Sequence, residues 1–431
     1  MAALTPSSTP PDAAPCHGEV RVSRVGTLCF LTPIGPDGAP AGDSLTVELH
    51  HGAVGLASFS SPPPSSAPPT TAWAVLGAAR LLQGLALAVV TRAERVATLR
   101  GHAVYMATGV AVFAAPGGHP DDARCGDGWG WNGVPGGAGG RRLGARLHKY
   151  HTPPPSNQFR SYVRLLRRAL DPRGAGRGLY FSHGADVTLT TQKWAALGQS
   201  PPPDLYARAD PRFFWTKALA TPLLESEMGA QRIAPFVVPC IQGFCGTLGP
   251  LALAPGPDGA AAAELEVALI ARRSPLRPGV RHWRRGADPR GATANYVETE
   301  QIAIVTTTAG PAAGAPTIAA FVLARGSIPL LWSQAPLLKY KPPTRVAPPS
   351  CSEAAFDRHF DSLLDEHSEA RLGGGGGGAR EECGSHFQLA WGQGGREVAP
   401  ALLGARHLLQ RTNPPHNSRP TPYTGGGDQP G

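Results

Sequence analysis

The residues best equipped for chemistry lie between Arg272 and Gln301, where the chain reads RRSPLRPGVRHWRRGADPRGATANYVETEQ. Seven arginines fall within nineteen residues, and then Asn295, Glu298 and Glu300 appear on an apolar frame. A guanidinium offers rigid paired donors that match phosphate oxygens two at a time, so an arginine cluster facing a cleft is a receptor for a polyanion. Arg272, Arg273, Arg277 and Arg281 are the candidate phosphate or headgroup ligands. An isolated charge run is ordinarily a solvated basic hairpin, and its surroundings decide between the two readings. Asn295, Glu298 and Glu300 are interleaved with Tyr296, Val297 and Thr299 as one face of a strand would be, and so pair with the arginines to hold a sheet.

A second block, RGSIPLLWSQAPLLKYKP, runs from Arg325 to Pro342. Together the two segments resemble the SAC domain of phosphoinositide phosphatases. That family's N-[FY]-V-E-T-E-Q is matched by Asn295 to Gln301. Its R-G-S-I-P-x-x-W-x-Q is matched by Arg325, Gly326, Ser327, Ile328, Pro329, Trp332 and Gln334, and its L-K-Y-K-P by Leu338 to Pro342. Shorter matches precede and follow in family order: Trp73 to Met106 with a G-H-x-[IV]-Y block at Gly101 to Tyr105, then GLYFSHGADVTLTT at Gly178 to Thr191. After these come ADPRFFWTK at Ala209 to Lys217, with Thr216 in place of the usual Asn, FVVPCIQGF at Phe236 to Phe244, and FDRHFDS at Phe356 to Ser362. The resemblance covers roughly residues 20 to 365.

The resemblance implies an α/β (mixed α+β) fold, with a mostly β amino-terminal subdomain packed on an incomplete α/β phosphatase subdomain. The expected domains are a disordered 1–18, the amino-terminal subdomain at 19–225 with a low-complexity insertion at 114–157, a partial catalytic subdomain at 226–365, and a low-complexity tail at 366–431. It also implies hydrolysis of monoester phosphate from phosphatidylinositol phosphates without a cofactor, in lipid signalling. The expected partner is the phosphoinositide headgroup at a membrane surface, on cytoplasmic, peripheral sites of the endoplasmic reticulum and Golgi. Asn295, Glu298, Glu300, Arg325 and Trp332 are expected to be structural members of the motifs.

The family's chemistry uses a C-x5-R loop in which a thiolate attacks phosphorus while backbone amides and the Arg hold the equatorial oxygens. Six residues beyond the cysteines at 16, 29, 125, 240, 245, 351 and 383 stand Val22, Gly35, Trp131, Gly246, Leu251, Asp357 and Leu389, none of them arginine. The one tripeptide like the end of the family's loop, Arg411-Thr412-Asn413, puts Ala405 where the nucleophile belongs, or Pro414 if it is read as the beginning. The sequence is therefore expected to stop being family-like near residue 366, ahead of the catalytic loop, as a truncated reading frame or an inactive paralogue would. Three readings follow: a phosphatase, a pseudophosphatase that binds phosphoinositide or a protein partner, and, resting on charge alone, a basic nucleic-acid-binding protein.

Composition narrows these only a little. The net charge is +9 with pI near 9.4, which suits an anionic partner. Only five of the forty basic residues are lysines, while Ala, Gly, Pro and Arg are all plentiful, as a GC-rich coding sequence produces without selection for charge. The clustered arginines carry the information, not the total. Seven scattered cysteines without a C-x-x-C pair fit a reduced compartment. Neither a secretory signal nor a spanning segment is expected: the most apolar window, Trp73 to Val90, is interrupted by Arg80 and Gln83. No RNP-like block or zinc-finger spacing supports nucleic-acid binding.

The elements that must position the motifs are strands. Leu265 to Ala271, Ala294 to Thr308 and Thr317 to Ala324 are apolar runs bounded by Gly or Pro. Phe159 to Leu170 has helical periodicity, with Phe159, Tyr162, Val163, Leu166 and Leu170 on one face and its arginines on a solvated exterior. Three tempting motifs lack their setting. The GDSL at Gly42 to Leu45 has no apolar strand before its Ser; His119, Cys125, His148 and His151 lack regular ligand spacing; Gly139 to Arg142 lacks the Lys-Ser/Thr of a phosphate loop.

Overall fold

The computed structural model describes residues 3–4, 16–59, 68–115, 157–197, 202–253, 263–279, 285–307, 316–334, 344–367, 371–373 and 387–390. The fold is mixed α/β and mostly strand, in line with the expected class. The chain divides into two compact units, one of residues Met1–Pro278 and Asn295–Ala324, the other of Gly279–Ala294 and Arg325–Gly431. Residue 226, where the catalytic subdomain is expected to begin, lies inside the first unit. Most of 1–18, 114–157 and 366–431 falls outside the described residues.

The first unit contains two sheets. β1 (Ala3–Leu4) is followed by β2 (Glu19–Val25), β3 (Leu28–Ile34), β4 (Ser44–Glu48), β5 (Val54–Ala57) and β6 (Thr70–Ala72). The last five form an antiparallel sheet in the order β5-β4-β3-β2-β6. Alternation along these strands turns Val20, Val22, Leu31, Leu45 and Val47 inward, as a sheet covered on one face requires.

β7 (Ala74–Leu81), β8 (Gly84–Leu99), β9 (His102–Ala114), β10 (Leu179–Phe181), β11 (Cys240–Leu253), β12 (Ala263–Arg273) and β13 (Val297–Thr307) make a second, antiparallel sheet, extended by β14 (Pro316–Arg325) with β1 beside it. β8 and β9 close through a two-residue turn in which Arg100 and Gly101 both have positive φ, 51° and 81°, the conformation whose twist suits a tight hairpin. Helices α1 (Asn157–Leu170), α2 (Thr191–Ala196), α3 (Leu205–Arg208), α4 (Lys217–Leu224) and α5 (Ala230–Ile233) lie between the strands in sequence. Gly77, at φ 123°, lets β7 approach α4, because a Cβ there would stand 2.1 Å from the Leu219 carbonyl oxygen.

The strands and the helix expected from the sequence are all present, each within a few residues of its expected bounds. α1 buries Phe159, Val163 and Leu170, but Tyr162 is 39% exposed. At 100° per residue Tyr162 falls on the rim of the stripe, on the far side of Phe159 from Val163.

In the second unit β15 (Trp332–Gln334) pairs antiparallel with β16 (Thr344–Val346), and helix α6 (Pro349–His367) buries Ser352, Ala355, Phe356, Phe360 and Leu363 at helical spacing. Short strands β17 (Arg371–Gly373) and β18 (Phe387–Ala390) pair in parallel. Among the described residues no helix is long and apolar enough to cross a membrane.

Candidate functional site

β12 and β13 bring the arginine run and the NYVETEQ block side by side, with Arg272 opposite Glu298 and Ile270 opposite Glu300. Strand parity puts Tyr296, Glu298, Glu300 and Ile302 on one face, and that face is buried. Asn295 is not part of it: it precedes the strand with φ 54°, a left-handed conformation that Asn tolerates better than most residues.

Two buried carboxylates on an inward face require cations and donors. Arg272 supplies both, at 0% exposure. Its Nε donates to the Val187 carbonyl at 2.8 Å, and its Nη2 donates to the Leu189 carbonyl and to Glu300 Oε2, each at 2.8 Å. Nη1 stands 4.0 Å from Glu298 Oε1. The other oxygen of Glu300 accepts from the Thr191 backbone N–H at 2.6 Å, the first residue of α2.

The ADPRF segment contributes the second cation. Arg212 grips Asp210 through Nε and Nη2 at 3.1 and 2.8 Å, and its Nη2 lies 3.8 Å from Glu298 Oε2. Lys193 Nζ reaches Asp210 Oδ2 at 2.9 Å. Thr188 links this segment to the DVTLTT stretch: its Oγ1 accepts from the Asp210 N–H at 2.7 Å and donates to Asp186 Oδ1 at 2.6 Å. Lys193, Arg212 and Arg272 thus face Asp210, Glu298 and Glu300, three charges of each sign on four separate stretches of chain.

Electrostatics follow from this packing. Burial alone would raise the Asp210 carboxyl, but the hydrogen bonds and charge of Arg212, with Lys193 beside it, outweigh burial and hold it at about 2. Burial, with the charge of Arg212, pulls Lys193 below its ordinary value. Burial, then the neighbouring Glu298, pushes the Tyr296 phenol up. Asp186, wholly enclosed, is raised by burial in spite of its two bonds from Thr188.

Of the four expected headgroup ligands, Arg272 is therefore the one that the fold encloses, and all its hydrogen bonds are internal. Arg273, on the opposite face, is half-buried: it donates to Gln242 Oε1 at 3.1 Å and Asn295 Oδ1 at 3.0 Å, with its guanidinium 5.6 Å from the Trp215 ring centre. Arg277 is half-exposed with φ 52°, and its carbonyl accepts from the Asn295 N–H at 3.2 Å. Arg281 lies outside the described residues.

The RGSIP block serves the second unit. Arg325 is exposed at the end of β14. Ser327 accepts from the Gly286 N–H on its hydroxyl at 2.7 Å and donates its own N–H to the Ala294 carbonyl at 3.0 Å. Trp332, half-buried, packs close to Gly286, where a Cβ would come within 2.6 Å of the Trp332 Cβ. Both contacts shape the backbone at 286–294.

Three of the described cysteines are held away from nucleophilic activation. Burial pushes the thiols of Cys16 and Cys240 up to about 12 and that of Cys245 to about 11, away from the thiolate. Cys125 and Cys383 lie outside the described residues. Ser44 of the GDSL sequence is fully buried and shares a hydrogen bond with the Thr32 hydroxyl at 2.7 Å. No group of His, Cys, Asp and Glu suited to a metal occurs among the described residues, and His119, Cys125, His148 and His151 are not among them.

The DVTLTT and ADPRF motifs do not by themselves assign Asp186, Thr188, Lys193, Asp210 and Arg212 to the site. The available signal was sign: two carboxylates on a strand face that turns inward need more cation than one arginine provides.

A family profile described as SacI homology domain matches residues 73–372. The chain is 31% identical over 294 residues to phosphoinositide phosphatase SAC6 of Arabidopsis thaliana, a match covering 68% of this chain and 40% of that protein. To phosphatidylinositol-3-phosphatase SAC1-B of Danio rerio it is 30% identical over 299 residues, covering 67% and 40%. To phosphatidylinositol-3-phosphatase SAC1 of Saccharomyces cerevisiae it is 32% identical over 211 residues, covering 49% and 31%. The chain thus spans well under half the length of these relatives. The profile takes in more than half of the 431 residues, and the chain belongs to the SAC phosphoinositide phosphatase family.

Proposed function

We propose that this chain is the phosphoinositide-recognising scaffold of a SAC phosphatase, and that these 431 residues bind the headgroup without hydrolysing it. The observation that carries the reading is that three of the family's sequence blocks meet in a single buried charge network, built around Arg272, Glu298 and Glu300. The network pairs residues of β12 with residues of β13; the assignment of phosphate to the later arginines of the run, Arg277 and Arg281, comes from the sequence. Arg273 is aligned by Gln242 and Asn295. In a complete enzyme of this kind the reaction is hydrolysis of a phosphate monoester on the inositol ring, with no cofactor. The site of action on this reading is peripheral, on endomembranes of the endoplasmic reticulum and Golgi, as the family resemblance implies. The division at residue 226 into an amino-terminal and a partial catalytic subdomain belongs to the same reading.

Non-catalytic binding is favoured over turnover because no cysteine in the sequence is followed six residues later by arginine. Phosphate release from water-soluble short-chain phosphatidylinositol phosphates tests this directly. The 431-residue chain is expected to release none above the protein-free control while binding the same compounds in titration calorimetry. Measurable release would overturn the inactive reading. Binding unchanged by Arg277→Ala combined with Arg281→Ala would overturn the assignment of the headgroup to the arginine run.

A further inference from the structure

The outward face of α1 is divided lengthwise. Arg160, Arg164 and Arg168 recur at every fourth position and form a row along the helix, with Arg164 and Arg168 exposed and Arg160 half-exposed. Alongside that row, about a quarter-turn away, stands Leu165 at 57% exposure, with Tyr162, at 39%, about a sixth of a turn further round toward the buried side. Phe159, Val163 and Leu170 occupy the buried side, so the helix is anchored in the core and its orientation is set. None of its fourteen residues is Asp or Glu.

A purely solvated exterior accounts for the arginines but not for a leucine held out of the core beside them. An anionic lipid surface accommodates both at once: the guanidiniums meet lipid phosphates, and the leucine enters the boundary between headgroups and acyl chains. Nucleic acid offers the same phosphates but little return for an exposed leucine. We propose that the outward face of α1 is a docking surface for anionic membrane, separate from the headgroup-binding arginines of the 272–281 run. It rests on the phosphoinositide reading only in supposing that the protein works at a membrane.

The test uses vesicles that contain no phosphoinositide, so that headgroup recognition does not enter. The 431-residue chain is mixed with vesicles of phosphatidylcholine alone, or of phosphatidylcholine with phosphatidylserine, and sedimented. Stronger binding to the phosphatidylserine vesicles, weakened by salt, is expected. Arg164→Glu with Arg168→Glu should lower it by at least about tenfold, and Leu165→Ser by roughly fivefold. These positions are exposed, so circular dichroism and thermal unfolding of the variants should match the parent. Equal binding to both vesicles, or binding to phosphatidylserine vesicles that the double charge reversal leaves unchanged, would overturn the proposal. So would a preference for single-stranded RNA over vesicles that disappears in the same double variant. Calorimetric binding of short-chain phosphoinositide should be untouched by the α1 variants, which separates failure of this surface from failure of the arginine-run assignment.

Discussion

Two buried regions of the first unit are held together by opposite means. Around β2 to β5, β7, β8 and α4 the interior is Val, Leu, Ile and Phe, with Leu31, Leu45, Leu87 and Phe236 among its members. Between β12, β13 and the stretch from Asp186 to Arg212 it is built from charges, three of each sign, with Arg272 the largest side chain wholly removed from solvent. An apolar interior is stabilised by area and tolerates changes that keep its volume. A charged interior depends on the pairing of its charges, and removing any member leaves its partners desolvated. Three of the recognisable sequence blocks, those around Thr191, Asp210 and Glu298, meet in the charged region, whereas Trp73 to Met106 and Phe236 to Phe244 run through apolar packing.

The contrast is broken most severely at Arg272. Arg272→Ala should lower unfolding free energy by about 3–5 kcal/mol, by stranding Glu298 and Glu300 and opening a cavity; urea denaturation measures it, and a loss comparable to an exposed-site change would contradict the network. Arg272→Lys should still cost about 2 kcal/mol, because one ammonium cannot serve the carbonyls of Val187 and Leu189 and the Glu300 carboxylate together.

Acid separates the two regions by pH. Burial depresses His17, next to Phe236 in the apolar region, and His183, packed on Tyr105 and Phe181. A histidine held below its ordinary value is stabilising while neutral. That contribution is present above about pH 6.5 and fades as pH falls toward the folded value. Asp210, depressed to about 2 from 3.8, contributes about 2 kcal/mol that is complete above pH 4 and lost only between roughly 4 and 2. Stability measured against pH should fall in two stages, with Asp210→Asn removing the lower one and His17→Phe reducing the upper. The smallest effect is expected for Ile233→Val in the apolar region, about 0.5–1.5 kcal/mol by calorimetry.

Strand positions, the helix and the family were legible in the sequence because each depends on local pattern or ordered blocks. The direction of Arg272 was not. It sits next to Arg273 in one run, yet adjacent strand residues point to opposite faces, so one enters the interior and the other does not. Placing Asn295 with Glu298 and Glu300 overlooked that a strand has period two and that Asn295 ends a turn. The partners Lys193, Asp210 and Arg212 were hidden by separation in sequence, which no periodicity reports.

That separation has a consequence for synthesis. Asp210 and Arg212 leave the ribosome well before Glu298 and Glu300, by a stretch that takes on the order of 5–20 s to translate. During that interval the apolar strands β2 to β8 are already free to collapse, whereas Arg212 has only Asp210 and Lys193 to pair with, and Arg272 emerges ahead of both glutamates. The charged interior can close only when β13 arrives. A nascent chain stalled before residue 298 would therefore expose this half to proteases while the amino-terminal half was already protected.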